Sequence, residues 1–324
     1  MGKIYHSLDE LIGNTPLLEF ENYEKELGLK AHLLGKLEYF NPSGSVKDRI
    51  AKYMIDQAEK EGHLKPGGKI LDFTSGNTGI ATAAVANARG YHYVVVLQPG
   101  VSAERTQILK AYGAELVDAD KVPGFMDMLR EGLTMKKLSP IMEEFAEKIG
   151  AYYLNQGCNP YNVEAHYVHT AREIWEDTDG KVDYLVALVG TGGTLAGISK
   201  YLKERNPNVQ IIAGQPHPKS RKHPDHPEVN TIDGVLAFHN APTLPAFWTE
   251  DKLPYDRCLD IIAEDAYETG RTLVRTDGVF LGQSAAAAVY AATQIAKLPE
   301  AEGKNIVIML ADNAFKYLST NIYR

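Results

Sequence analysis

Cysteine is scarce in this sequence: Cys158 and Cys258 are the only two among 324 residues. Two thiols cannot build a disulfide framework, so a reducing compartment is expected. Long apolar runs are missing as well. Runs such as 93–97 and 306–310 have strand length, and none approaches the roughly 20 residues that span a bilayer. Positive charge is not in excess either. Lys and Arg number 34 against 42 Asp and Glu, a net charge of −8, which argues against a dedicated nucleic-acid binder. The opening Met1-Gly2-Lys3-Ile4-Tyr5-His6 lacks the apolar core of a signal peptide, and His6 stands where a myristoylation motif needs Ser or Thr. A soluble, cytoplasmic protein with neither a membrane nor a nucleic-acid partner is expected. What is present is the composition of a folded chain, 44% hydrophobic and 23% charged, which excludes disorder. The length allows about two domains or one large α/β unit.

Two halves repeat one pattern of apolar strand, Gly-rich turn and helix. Residues 70–73 read as a buried strand, 74–79 as a turn, 80–88 as a helix stopped by Gly90, and 93–97 as the next strand, ended by Pro99-Gly100. In the second half 182–189 is a strand, 190–194 a turn, 195–205 a helix with basic residues in its last turns, and 211–214 a strand. Strands alternating with helices predict parallel sheets covered by helices on both faces. Two segments break the rhythm. Residues 126–142 hold four of the seven methionines, Met126, Met128, Met135 and Met142. They read as a helical core face or as an adaptable wall over a pocket. Residues 215–256 are rich in Pro and His, and the spacing of His217, His223, His226 and His239 matches no zinc pattern. An ordered loop of that length inside a compact domain is usually functional.

Three motifs carry chemistry. Gly190-Thr191-Gly192-Gly193-Thr194 joins a strand to a helix. Such a turn aims backbone N–H groups at an anion near the positive end of the helix, and Thr hydroxyls can add donors. It is neither GxGxxG nor a Walker loop. A phosphate cradle and a tight turn that needs positive φ are both open readings. Thr74-Ser75-Gly76-Asn77-Thr78-Gly79 follows the same logic and suits a carboxylate or a phosphate, with a plain helix cap as the alternative. Asn41-Pro42-Ser43-Gly44-Ser45-Val46-Lys47-Asp48-Arg49 leads into a helix with Ile50, Tyr53 and Met54 on its apolar side. It delivers Lys47 near a helix start, where the dipole lowers an ammonium pKa. A deprotonated Lys can form a Schiff base with an aldehyde; a solvated surface Lys is the other reading. One Lys with two anion cradles meets the needs of pyridoxal 5'-phosphate and an amino acid.

Together with Ile12-Gly13-Asn14-Thr15-Pro16-Leu17, Ser102-Ala103-Glu104-Arg105, Ala111-Tyr112-Gly113-Ala114 and Gly282-Gln283-Ser284, these motifs occur in an order that resembles the cysteine synthase and cystathionine β-synthase family. The resemblance to these fold-type II pyridoxal-phosphate enzymes spans nearly the whole chain. It implies an α/β fold of two three-layer αβα domains, each an open, mostly parallel twisted sheet. The cofactor would lie in the cleft between them, as in the tryptophan synthase β-like fold. Residues 45–152 would form a smaller, mobile domain, and 1–44 with 153–324 a larger one that binds the cofactor phosphate.

The same resemblance implies roles for residues. Lys47 corresponds to the Schiff-base lysine and Asn77 to the side chain on the pyridoxal 3′ oxygen. Thr74, Ser75, Gly76, Asn77 and Thr78 correspond to the substrate-carboxylate loop, joined by Gln156. Gly190, Thr191, Gly192, Gly193 and Thr194 correspond to the phosphate cradle, and Ser284 to the partner of the pyridine nitrogen. A hydroxyl does not force that nitrogen to stay protonated, so loss of a β leaving group is favoured over transamination. The implied reaction is β-replacement on a serine- or cysteine-type amino acid through an aminoacrylate. Its second substrate is sulfide, a thiol or water. The leading form joins O-acetylserine and sulfide into cysteine; the alternative consumes cysteine, releases hydrogen sulfide and gives serine, lanthionine or cystathionine. Keeping Lys47 argues against a non-enzymatic binding module on the same fold. A homodimer is expected, and no metal.

Four departures from the family pattern bear on the substrate. Gln215 precedes Pro216 where relatives usually carry an acid. Asp233 stands in Thr231-Ile232-Asp233-Gly234 where acetylserine enzymes usually have an uncharged residue. Ala285-Ala286 follows Ser284 in place of Ser-Gly, and 120–142 looks long. Asp233 reads either as a turn former before Gly234 or as an acid–base group on the Cβ side of the substrate.

Overall fold

The strand–turn–helix pattern is realised twice. In the computed structural model the described residues are 4–74, 76–97, 103–130, 135–224, 227–239, 241 and 244–324, without the side chains of 103, 135 and 136. Ser75, the Pro99-Gly100 turn, Ser102, His226 and the Met135 side chain lie outside the described residues. The strands are β1 (Leu17–Glu19), β2 (His32–Leu37), β3 (Lys69–Phe73), β4 (His92–Leu97), β5 (Glu115–Asp118), β6 (Ala151–Tyr153), β7 (Tyr184–Leu188), β8 (Gln210–Pro216), β9 (Arg257–Ile261) and β10 (Asn305–Leu310). The chain divides into two compact units, Met1–Ile12 with Asn41–Ala165, and Gly13–Phe40 with His166–Arg324.

The first unit holds a parallel sheet of order β5-β4-β3-β6. Because side chains alternate along a strand, this sheet feeds two cores. Ile70, Tyr93 and Val95 pack with Ile50, Met54, Ile55, Ile80 and Ala83, so helices Lys47–Lys60 and Asn77–Ala88 cover one face. Leu71, Val94 and Val96 pack with Phe125, Met128, Leu138 and Met142. Helices Phe125–Arg130 and Met135–Ile149 therefore cover the other face. Met126 packs partly buried against this second core, so the methionine-rich segment forms a helical core face.

The second unit holds a sheet of order β1-β2-β10-β7-β8-β9, parallel except for β1 against β2. Val186, Ile212, Ile306 and Ile308 face a core built with helices Ala263–Asp277 and Gln283–Ala296. The latter is apolar nearly all round. Ala285, Ala286, Ala287 and Ala288 are all fully buried, the pattern of a helix packed on every side. The fit against the neighbouring helix is close: a Cβ at Gly270 would lie 3.1 Å from the Ala286 Cβ. Alternate residues Leu185, Ile211 and Val307 are buried toward the opposite face, where helix Gly193–Arg205 packs on β7.

The boundaries shift in one direction. Both helices expected to start after the Gly-rich turns start inside them, at Asn77 and Gly193. The first turn of a helix needs no intrahelical acceptor for its N–H groups, so Gly and Thr are tolerated there. β8 runs through Pro216 because β9 pairs alongside it, Gln215 opposite Asp260 and Pro216 opposite Ile261.

Asp72 interrupts the first core. It lies on β3 only 1% exposed. Oδ1 accepts the Phe73 N–H at 2.9 Å, while Oδ2 has no hydrogen-bond partner among the described residues. On the same face of the sheet, the Tyr93 phenol approaches the Thr82 hydroxyl without a well-formed hydrogen bond. Burial with a single compensating bond pushes the Asp72 carboxyl up to about 7. The folded chain thus keeps a proton that the unfolded chain, at the ordinary value of 3.8, releases. The stability this contributes is complete below that value and is lost as pH rises through about 7. Asp72→Asn removes the loss. Thermal melts should place the variant more than about 4 °C above the parent at pH 8, with the gap closing at pH 5. A gap that does not change with pH would mean that Asp72 does not titrate in this range.

Candidate active site

Lys47 is the first residue of helix Lys47–Lys60 and is half-buried. The approach to it is tightly held. Gly44 turns with φ 82 and donates its N–H to Asn41 O at 2.8 Å. The buried Asp48 carboxylate accepts the Ser43 N–H at 2.7 Å and the Ser43 hydroxyl. The Lys47 N–H donates to Ser45 Oγ at 3.2 Å. An acid in the first turn is favourable to the helix dipole, and here it also pins the loop that presents Lys47.

Thr74 follows β3, Gly76 caps helix Asn77–Ala88, and Asn77 and Thr78 form its first turn. Thr78 Oγ1 donates to Gln156 Oε1 at 2.6 Å, so the structure brings Gln156 to this loop. The Gln156 carbonyl in turn accepts from Asn162 Nδ2 at 2.7 Å. Gly79 is required by close approach: a Cβ there would meet Thr74 Cγ2 at 3.1 Å. Ser75 lies outside the described residues.

In the second unit, Gly190, Thr191 and Gly192 turn out of β7, and Gly193 and Thr194 open helix Gly193–Arg205. Gly192 has φ 87. A Cβ on it would lie 2.8 Å from Pro245 Cβ and 2.8 Å from Trp248 Nε1, and one on Gly190 would lie 2.8 Å from Gly234 O. The turn is thus closed from behind by the Pro- and His-rich loop. Trp248, 5% exposed, donates to Gly192 O at 3.2 Å. Phe238 and Tyr255 stack around it, with ring centroids 5.1 and 5.8 Å from the indole. Thr194 Oγ1 lies 3.1 Å from Nε2 of the fully buried His166.

Asp233 and Ser284 meet through Gln283. The Asp233 N–H donates to Gln283 Oε1 at 3.0 Å, and Gln283 Nε2 donates to Tyr267 Oη at 2.8 Å. That phenol donates to Thr231 O at 2.7 Å; burial, with Asp233 nearby, pushes it up to about 12. The half-buried Asp233 carboxylate accepts from Thr231 Oγ1 at 3.1 Å, and Gly234 turns the chain with φ 75. Ser284 is the second residue of helix Gln283–Ala296, half-buried. Gln215 likewise has a structural reason. It is 2% exposed, donates to Asp260 Oδ1 at 2.7 Å and accepts the N–H groups of Phe238 and His239 at 2.8 and 2.9 Å. An acid at 215 would put two carboxylates together.

The first unit carries Lys47 and the 74–78 loop with Gln156; the second carries 190–194, Asp233 and Ser284. Sequence reasoning missed Trp248, His166 and Gln283 as supports. Trp248 had a signal, since it is one of two tryptophans and lies in a loop too long to be idle. Two of the loop histidines serve locally: His217 Nδ1 accepts the Lys219 N–H, and His239 Nδ1 lies 3.1 Å from Tyr255 Oη.

A phosphate fits the second-unit turn. Gly190 and Gly192 are forced by close approach, the helix start carries positive potential, and Thr194 offers a hydroxyl. The comparisons agree with this chemistry. A family model described as pyridoxal-phosphate dependent enzyme matches residues 8–312. Cysteine synthase 3 of Caenorhabditis elegans is 38% identical over 97% of this chain and 88% of its own length. A Staphylococcus aureus cysteine synthase is 38% identical over 98% of this chain and 96% of its own. The crystal structure of a cysteine synthase from Entamoeba histolytica superposes with a TM-score of 0.84 at 36% identity, covering 99% of this chain and 91% of that one. The chain belongs to the pyridoxal-phosphate dependent enzyme family. Within it, this protein is a pyridoxal-phosphate enzyme of cysteine synthase type. Among the described residues no helix is long and apolar enough to cross a membrane.

Gly192→Ala tests the fit of the turn. Its Cβ must displace Pro245 or the Trp248 indole, in a backbone region that costs a side chain about 1–3 kcal/mol. We expect a lower melting temperature, altered Trp fluorescence and at least about tenfold weaker cofactor binding in absorbance titrations, the equivalent of 1.4 kcal/mol. Unchanged cofactor affinity would show that the close approach does not shape the cradle.

Proposed function

We propose that this enzyme replaces the acetyl ester of O-acetylserine with sulfide, forming cysteine and acetate. The observation that carries the reading is the 190–194 turn, closed behind by Trp248 and opening a helix, in a chain 38% identical to cysteine synthases. Gly190, Thr191, Gly192, Gly193 and Thr194 would hold the cofactor phosphate through N–H and hydroxyl donors. Ser284 would meet the ring nitrogen with a hydroxyl, and Asn77 the ring 3′ oxygen. Lys47 would hold the aldehyde carbon. Thr74, Ser75, Gly76, Asn77, Thr78 and Gln156 would bind the substrate carboxylate, the Thr78–Gln156 contact giving the loop its shape.

Bound pyridoxal phosphate supplies the sink for the electrons of the Cα–H bond. The chain's own part is proton handling and exclusion of water. Once displaced by the substrate amine, the Lys47 amine would take the Cα proton and later return it. The Ser43–Asp48 clamp fixes the loop that presents Lys47. The 74–78 loop would fix the carboxylate so that the Cα–H bond faces Lys47. Residues 45–152 are assigned to a smaller, mobile domain, 1–44 with 153–324 to a larger cofactor-phosphate-binding domain, and the assembly to a homodimer, on the family resemblance.

Asp233 is proposed to face Cβ as a general acid or base for poor leaving groups. Its backbone N–H is fixed by Gln283, next in sequence to Ser284. Acetate leaves without such help, whereas sulfide or hydroxide does not.

Two variants test these roles. Lys47→Ala should slow Cα-proton exchange by orders of magnitude. Borohydride treatment of the parent should place the cofactor mass on the Lys47 peptide, and a variant that still formed a reducible link would refute the assignment. Asp233→Asn should slow sulfide release from cysteine by roughly 10²-fold or more, the usual size of a lost acid–base group, with acetate release from O-acetylserine much less affected. Equal effects on both substrates would return Asp233 to a turn-forming role.

A further inference from the structure

His166 is used by nothing described so far, yet it is fully buried and touches the phosphate cradle. It opens the π-helical stretch His166–Thr170, one residue per turn wider than an α-helix. Such stretches recur at functional sites. This one packs against helix Gly193–Arg205, whose first turn carries Thr194. Both ring nitrogens are engaged by hydroxyls: Nδ1 lies 2.9 Å from Thr170 Oγ1, and Nε2 lies 3.1 Å from Thr194 Oγ1.

The direction of these bonds is set by what Thr194 must do. A hydroxyl has one proton. If Thr194 donated it to His166, its lone pairs would face the phosphate, acceptor against acceptor. If instead His166 donates through Nε2–H, the Thr194 proton is released to point at the anion. Nδ1 is then the acceptor, and Thr170, four residues on in the same helical stretch, donates to it. We propose that Thr170, His166 and Thr194 form a one-way hydroxyl–imidazole–hydroxyl relay that holds the Thr194 proton toward the cofactor phosphate, with His166 as a positioning residue carrying its proton on Nε2. The proposal rests on the reading of 190–194 as the phosphate cradle.

The relay explains features that the cradle alone does not. A Thr hydroxyl on a helix would otherwise rotate toward a backbone carbonyl one turn back. Here the second partner locks it, so the donor is in place before the anion arrives, and less ordering is left to binding. The π turn brings the hydroxyl of Thr170 to one ring nitrogen of His166 while the other meets Thr194.

The experiment uses the holoenzyme. Nitrogen-15 NMR of the parent protein, labelled at histidine, should show His166 with Nε2 protonated and Nδ1 bare. A protonated Nδ1 overturns the relay without any mutation. The phosphorus-31 signal of bound pyridoxal phosphate should shift in His166→Leu, and cofactor affinity should fall about tenfold, the scale of one hydrogen bond to a charged group. His166→Gln, whose amide N–H can replace Nε2–H, should restore most of both. Thr194→Val separates the two levels of the argument. If it leaves the phosphorus signal and affinity unchanged, the cradle reading fails and the relay with it. If it moves both while His166→Leu moves neither, the cradle stands and the relay alone is wrong.

Discussion

The site depends most on the close approach of two backbone stretches, the turn 190–192 and the loop that carries Gly234, Pro245 and Trp248. At Gly190 and Gly192 no Cβ fits, and the Trp248 indole donates to the Gly192 carbonyl. The indole thereby ties the Gly192 carbonyl to the loop behind the turn. Phe238 and Tyr255 hold the indole in place, so the long loop acts as a buttress for the turn.

The same economy recurs elsewhere in the second unit. Gln215 and Gln283 are neutral amides used at both ends. Each has an oxygen that accepts backbone N–H groups and a nitrogen that donates, one to Asp260 and the other to Tyr267. An acid could do only the accepting half. Through these two side chains the strand β8, the 231–239 segment and the start of helix Gln283–Ala296 become one hydrogen-bonded body. That body carries Ser284 and Asp233 beside the cradle. In the first unit the Ser43–Asp48 clamp and the Thr78–Gln156 pair do the corresponding work.

Parallel sheets explain why these loops are the functional ones. Every parallel connection must cross back over the sheet, so each strand hands over to a helix at its carboxyl end. The 74–78 and 190–194 turns follow β3 and β7 in this way, and each opens a helix whose first N–H groups lack intrahelical acceptors. Ligands of open α/β sheets gather at such ends.

By itself the sequence determined the class of architecture, because apolar strands and Gly-rich turns repeat with the periods that a parallel α/β fold demands. It also placed Lys47 at a helix start and both anion turns after strands, since these are local properties of nine residues or fewer. Short strands such as β1, β6 and β9 were not legible; three to five residues carry too little periodicity. Only the tertiary structure decided what stands behind the site. His166 reaches Thr194 across 28 residues, Asp233 reaches Gln283 across 50, and Trp248 reaches Gly192 across 56. Those meetings follow from the strand order β10-β7-β8-β9 and from helices crossing it. No local pattern of side chains encodes that order, because it is set by which apolar faces can be buried together.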